Sequence, residues 1–99
     1  MARYDAFPNP EGRGWLLDVQ ADLLRDLNTR VVVPLMPTDT APRPARGLNP
    51  VFRLEGQEHV MVTQFLSAVL AGLVSGRAMS LAAEATAISN ALDLLLTGV

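Results

Sequence analysis

The chain has 99 residues, of which 49% are hydrophobic, and its formal net charge at pH 7 is −2. This length predicts one domain, spanning 1–99, that buries roughly two-thirds of the surface exposed by the unfolded chain. The slightly acidic balance argues against nucleic acid as a ligand, because phosphate binding needs clustered positive charge. The absence of cysteine excludes disulfides, thiolate metal sites and thiol nucleophiles.

The sequence also lacks the features of a membrane or exported protein. No stretch reaches the roughly 20 apolar residues of a membrane span, and the N-terminus lacks the plan of a signal peptide. We therefore expect a cytoplasmic protein that binds other proteins and contacts neither nucleic acid nor membrane directly. The single histidine, His59, makes a metal site or a cofactor unexpected.

The first third of the chain predicts short strands separated by turns. A first strand is expected over residues 3–7, before a loop rich in proline and glycine. Residues 15–24 predict a second strand because apolar and polar side chains alternate there. A helix over residues 19–27 is a competing interpretation. On the strand interpretation, Asp18 and Asp22 lie on a solvated face.

The middle of the chain predicts a buried strand, a loop and a hairpin. Residues 31–36 form the clearest strand, since three valines stand together, and Pro34 predicts that this strand ends or lies at a sheet edge. Residues 37–50, rich in proline, predict a long loop. Residues 51–63 predict a hairpin around Gly56. A further strand is expected at residues 69–74.

The last twenty residues predict one amphipathic helix. Apolar side chains recur every three to four residues on one face, which predicts packing against a core. Ser80 is the expected N-cap, and Gly98 stands where the helix would end. The other face carries the polar residues Thr86, Ser89, Asn90, Asp93 and Thr97. This face and the tip Thr97-Gly98-Val99 are left free for a partner.

Taken together, the pattern predicts a mainly β (α+β) fold of about five short strands and one helix. Such a set forms a small barrel or curled sheet that a terminal helix closes. Trp15 is assigned to the core. Met61, Phe65 and Leu66 are expected to form either a groove for a partner segment or a self-complementary dimer face, and dimerisation would cover surplus apolar surface.

Several segments together resemble the CcdB family of toxins from toxin–antitoxin modules. Any one of them would be weak evidence, but in order they cover nearly the whole chain. The segments are DVQADLL at 18–24, LNTRVVVPL at 27–35, LNPVF at 48–52, VTQ at 62–64, ISNALDL at 88–94 and TGV at 97–99.

The resemblance implies an SH3-like barrel with a long C-terminal helix, and a homodimer. It implies a toxin that is not an enzyme, poisons DNA gyrase by trapping its A subunit on cleaved DNA, and is neutralised by a CcdA-like antitoxin. The gyrase-binding residues that it implies are Thr97, Gly98, Val99, Asp93, Asn90, Ser89, Thr86, Leu23 and Leu24. The best-known plasmid-borne members carry a tryptophan at the position of Thr97, and a threonine cannot supply its stacking.

Two other functions are weighed against this one. A MazF-type endoribonuclease shares the barrel, but it needs a positively lined groove with a positioned acid and base. His59, Glu58 and Arg53 are the candidates for such a set, and a solvent-exposed strand pair is the preferred interpretation. The other alternative is a remnant that retains only antitoxin binding or dimerisation.

Overall fold

The computed structural model describes residues 2–99, which form an antiparallel sheet, one α-helix and several short 3₁₀ turns. The 3₁₀ turns lie at Asp22–Leu24, Thr63–Phe65, Ala71–Leu73 and Ala82–Glu84. The strands are β1 (Asp5–Pro8), β2 (Trp15–Asp18), β3 (Thr29–Pro37), β4 (Val51–Leu54), β5 (Gln57–Met61), β6 (Ser67–Leu70) and β7 (Met79–Ser80), and the helix is α1 (Ala85–Thr97).

The sheet is organised around β3, the longest strand. Its order is β4-β5-β3-β2-β1-β7, and β6 pairs with β3 outside this path. One edge of β3 pairs with β2, while the other is shared by β6 opposite residues 29–32 and β5 opposite residues 35–37. This sharing curls the sheet into a half-barrel, and α1 packs across it. The predicted α+β small barrel with a C-terminal helix is confirmed.

The main core lies between the curled sheet and α1. The helix contributes Ile88, Ala91 and Leu92, as its apolar periodicity predicts. Trp15 is buried in this core, which confirms its assignment. The sheet and its connections supply Ala6, Trp15, Leu17, Val19, Val33, Leu35, Phe52, Leu54, Met61 and Leu81.

Pro34 lies in the middle of β3, so the prediction that the strand ends or meets a sheet edge there was wrong. The residue falls between the stretch of β3 paired with β6 and the stretch paired with β5. Its carbonyl accepts a hydrogen bond from the Val62 N–H (3.0 Å) on that same side. A proline is tolerated at this position because its missing N–H would face the gap between the two partner strands.

The predicted hairpin is confirmed as β4 and β5. Its turn residues, Glu55 and Gly56, both have positive φ, at 51° and 79°. This conformation matches the twist of paired strands, and glycine adopts it without strain. The strand expected at residues 69–74 was misplaced: β6 occupies Ser67–Leu70, and a 3₁₀ turn follows it.

The helix begins later than its sequence pattern predicts. Ser80 belongs to β7, and its Oγ accepts a hydrogen bond from the Ala82 N–H (3.2 Å). The N-cap of α1 is Glu84, so the prediction that Ser80 caps the helix was wrong. The C-terminal prediction is confirmed. Gly98 has a φ of 79°, and its N–H donates to the carbonyls of Asp93 and Leu94, both at 3.1 Å.

Candidate functional site: the helix tip and the Leu23–Leu24 turn

The C-terminal tip of the chain projects into solvent. Val99 is 86% exposed, and a side chain added at Gly98 would meet no atom within 4 Å. Thr97 is also exposed, and its hydroxyl donates to the Asp93 carbonyl one turn back (2.7 Å). The tip therefore contributes little to the core and is free to contact a partner.

The predicted polar face of α1 is open to solvent over most of its length. Thr86, Asn90 and Asp93 are exposed. Apolar side chains interrupt this polar surface near the tip, because Leu94 and Leu96 are 38% and 69% exposed. A surface that mixes exposed leucines with polar groups is typical of a protein-binding site more than of a purely solvated face.

Leu23 and Leu24 lie on a 3₁₀ turn and not on a strand, so the prediction for residues 15–24 was wrong in its second half. Strand β2 ends at Asp18, and the turn occupies Asp22–Leu24. Leu23 is 91% exposed, the largest value among the bulky apolar residues from position 2 to 99, and Leu24 is 46% exposed. Two adjacent leucines in water favour a surface that a partner covers.

The dipeptide Arg3-Tyr4 connects the leucine turn to the helix. The Arg3 N–H donates to the Asp22 carboxylate (2.8 Å), and the Tyr4 hydroxyl lies 3.1 Å from the hydroxyl of half-buried Ser89. The structure thus brings the turn and the polar face of α1 to the same side of the molecule. Sequence reasoning missed both residues, because the Tyr4–Ser89 contact spans 85 positions and leaves no local pattern.

A buried ion pair lies beneath the leucine turn. The Arg30 guanidinium donates to Asp18 Oδ2 through Nη2 (2.6 Å) and Nε (2.9 Å), and both side chains are fully buried. The solvated face expected for Asp18 was therefore wrong, whereas Asp22 is exposed as expected. Burial raises the pKa of the Asp18 carboxyl above its ordinary value of 3.8, although hydrogen bonds from Arg30 and the Gln20 N–H oppose this shift.

Of the residues considered for acid–base catalysis, Arg53 and Glu58 lie opposite each other on β4 and β5, but His59 points to the other face of the sheet. His59 is only 4% exposed, so the expected exposed strand pair was wrong for this residue. Its Nδ1 is 2.9 Å from the Gln57 carbonyl, which accepts the proton that this nitrogen carries. Glu58 is exposed and, as the neighbouring strand residue, points to the opposite face of the sheet.

A cleft of about 580 Å³ beside His59 is not a positively charged groove. Its two arginines are each paired at the rim, Arg13 with Asp39 (3.1 Å) and Arg77 with Glu55 (2.5 Å). Paired guanidinium groups offer little net charge to a phosphate backbone. Within residues 2–99 no three acidic, histidine or cysteine side chains form a group that could hold a metal ion.

The surface suggested around residues 61–66 is only partly present. Met61 is fully buried in the main core and cannot line a groove or a dimer face. Phe65 is 50% exposed and Leu66 is half-buried. Of the three residues, only Phe65 and Leu66 are therefore available to contact a partner.

Comparison with protein-family models relates nearly the whole chain to a known family. Residues 3–98 match the family model described as CcdB protein, which covers all but three positions of the 99-residue chain. Among curated proteins, none is similar enough to count as a match. No helix in residues 2–99 is long and apolar enough to cross a membrane.

Proposed function

The chain belongs to the CcdB family, the toxins of toxin–antitoxin modules, and on that premise we propose that it poisons DNA gyrase. In this proposal it binds the gyrase A subunit and traps the enzyme on cleaved DNA, without acting as an enzyme itself. The observation that carries the proposal is that the helix tip and the leucine turn are both exposed in a chain of this family. Thr97, Gly98, Val99, Asp93, Asn90, Ser89, Thr86, Leu23 and Leu24 are the proposed contact residues.

We further propose that the toxin is a cytoplasmic homodimer that a CcdA-like antitoxin neutralises. A dimer would present two helix tips to one target. Support comes from the surplus of exposed bulky apolar side chains, including Phe65, Leu70 and Leu73, each between 50% and 58% exposed. A monomer of this size would leave that surface in water, and a symmetric contact would cover part of it.

A plasmid cleavage assay tests the gyrase proposal directly. We expect purified toxin to convert supercoiled plasmid to linear DNA when gyrase and ATP are present and the reaction is stopped with detergent and protease. Linear DNA should be absent when gyrase is omitted. Intact plasmid together with degraded RNA would contradict the proposal and favour the endoribonuclease. Intact plasmid and intact RNA would indicate a remnant that has lost toxicity.

Replacing Thr97 with tryptophan is expected to tighten binding to the gyrase A subunit. Thr97 is exposed and contacts only its own helix through its hydroxyl, so the larger ring should fit without changing the fold. An aromatic anchor contributes about 2 kcal/mol at an interface, which corresponds to roughly 30-fold in Kd. Calorimetric titration of T97W against the wild type measures this gain.

The matched control is Thr97→Val. It removes the hydroxyl that donates to Asp93 without adding an aromatic ring, so we expect its Kd to stay close to that of the wild type. Equal affinities for T97W and T97V would show that position 97 does not face the target.

A further inference from the structure

The side chain of Gln20 joins the leucine turn to the central strand. Its Nε2 donates to the Leu24 carbonyl (2.9 Å), and its Oε1 accepts from the Val31 N–H of β3 (3.1 Å). Gln20 is only 6% exposed. The amide therefore uses a donor and the acceptor at once, within a site where water cannot easily replace either partner.

The turn has few other attachments. All residues from Ala21 to Asn28 are exposed, so no side chain of this segment is buried in the core. Its internal hydrogen bonds are local ones, such as the Leu24 N–H to the Ala21 carbonyl (2.9 Å). Short 3₁₀ turns of this kind are weak on their own. The position of the turn thus depends on Gln20, on the contact between Asp22 and Arg3, and on the hydrogen bond from the Ala71 N–H to the Asn28 carbonyl (2.8 Å) at the end of the segment.

Gln20 is itself held by the buried ion pair. Its backbone N–H donates to Asp18 Oδ1 (3.0 Å), while Asp18 Oδ2 accepts both hydrogen bonds from Arg30. Both oxygens of Asp18 and the acceptor oxygen of Gln20 have hydrogen-bond partners, and such buried polar networks tend to be rigid. The network therefore extends without a break from the interior of the sheet to an exposed loop.

We propose that Gln20 is a positioning residue for target binding, which holds Leu23 and Leu24 in the orientation that the gyrase A subunit recognises. The inference rests on the proposed function, because it takes these leucines as gyrase contacts. A preformed turn loses less conformational entropy on binding than a mobile one. Gln20 would act through the turn and would not touch the target.

The test uses Gln20→Met, which keeps the volume of the side chain but loses both hydrogen bonds, and Gln20→Glu, which keeps the acceptor for Val31 but replaces the donor to Leu24 with a charged oxygen. We expect backbone order parameters for residues 22–27, from NMR relaxation, to fall from about 0.85 to below about 0.6. The Kd for the gyrase A subunit should rise about tenfold, as for the loss of one well-formed hydrogen bond.

The matched control is Asn49→Leu, because Asn49 holds a different loop in the same manner. It is 5% exposed, and its amide donates to Met61 and Gln64 while accepting from Ala45. We expect Asn49→Leu to lower the thermal midpoint of unfolding by about as much as Gln20→Met does. It should leave gyrase affinity and the order of residues 22–27 unchanged, which separates positioning from general stability.

A second substitution should restore the gyrase binding that Gln20→Met loses. Ala21 has a φ of −58°, which is the angle that proline imposes. Its N–H donates no hydrogen bond within residues 2–99. We expect Ala21→Pro, added to Gln20→Met, to recover at least half of the lost binding free energy by stiffening the start of the turn.

The outcomes distinguish this inference from the function on which it rests. Failure of the wild type to bind gyrase would overturn the proposed function, whatever the order parameters show. Wild-type affinity in folded Gln20→Met, with a loosened turn, would overturn the positioning role alone. If neither Gln20 variant folds, Gln20 is a determinant of the fold, and the proposal is likewise wrong.

Discussion

Deletion of Gly98 and Val99 is expected to abolish gyrase poisoning while lowering the free energy of unfolding by no more than about 1 kcal/mol. The activity should vanish because the two residues form the exposed end of the proposed contact surface. The stability should barely change because Val99 is 86% exposed and Gly98 contacts only the last helical carbonyls. The remaining cost comes from placing the terminal carboxylate nearer the negative end of the helix dipole.

The amount of linear plasmid in the cleavage assay measures the poisoning activity of the deletion variant, and the thermal midpoint of unfolding measures its stability. Val99→Ala is the milder companion, and it should weaken poisoning without shifting the midpoint. Gly98→Ala tests the cap separately, since a φ of 79° strains any residue with a Cβ by about 1 kcal/mol. A large loss of stability in the deletion variant would make the tip a structural element, and retained poisoning would remove it from the contact surface.

The parts of the fold that the sequence predicts well are those fixed by local chemistry. Gly98 ends the helix because glycine adopts positive φ freely, and Gly56 marks the hairpin for the same reason. The core face of α1 follows from the spacing of Ile88 and Leu92 alone. These signals lie within a few residues of the structure that they specify, so one sequence is enough to find them.

The misassigned features depend on partners that are distant in sequence. Alternation over residues 15–24 predicted one strand, but Asp18 turns inward to meet Arg30, twelve positions away, and the chain then leaves the sheet. Pro34 is tolerated inside β3 because two different strands share its edge. Neither arrangement has a local signature. The exposed leucine turn is proposed as a binding element only through the family resemblance, because the alternation over residues 15–24 indicated a strand with no binding role.

Replacement of Arg30 by methionine is expected to cost about 3–5 kcal/mol of stability at pH 7, because it leaves the Asp18 carboxylate buried without its cation. Both side chains are inaccessible to solvent, so water cannot take the place of the guanidinium. The same substitution at Arg13 is the control. Its pair with Asp39 is exposed, with side-chain accessibilities of 58% and 63%, and its loss should cost less than about 1 kcal/mol. Denaturant titrations of R30M and R13M compare the two.

The loss of stability caused by R30M should be greater at neutral pH than at acidic pH. Burial already raises the pKa of Asp18 above 3.8, and removing Arg30 removes the hydrogen bonds and the charge that oppose this shift. A carboxyl whose pKa is raised in the folded state stabilises the fold below its unfolded pKa and loses that contribution as the pH rises through the folded value. The difference between R30M and the wild type should therefore be largest at neutral pH and shrink toward pH 4.

The double variant D18N/R30M separates the buried charge from the lost contacts. The asparagine side chain that replaces Asp18 would keep an oxygen for the Gln20 N–H, and no charge would remain buried. Neutral replacement of a buried pair often restores most of the stability lost by breaking it. We expect the double variant to recover at least half of the R30M deficit at pH 7 and to lose its pH dependence. An additive double variant would show that Asp18 and Arg30 stabilise the fold independently, through packing and not through their charges.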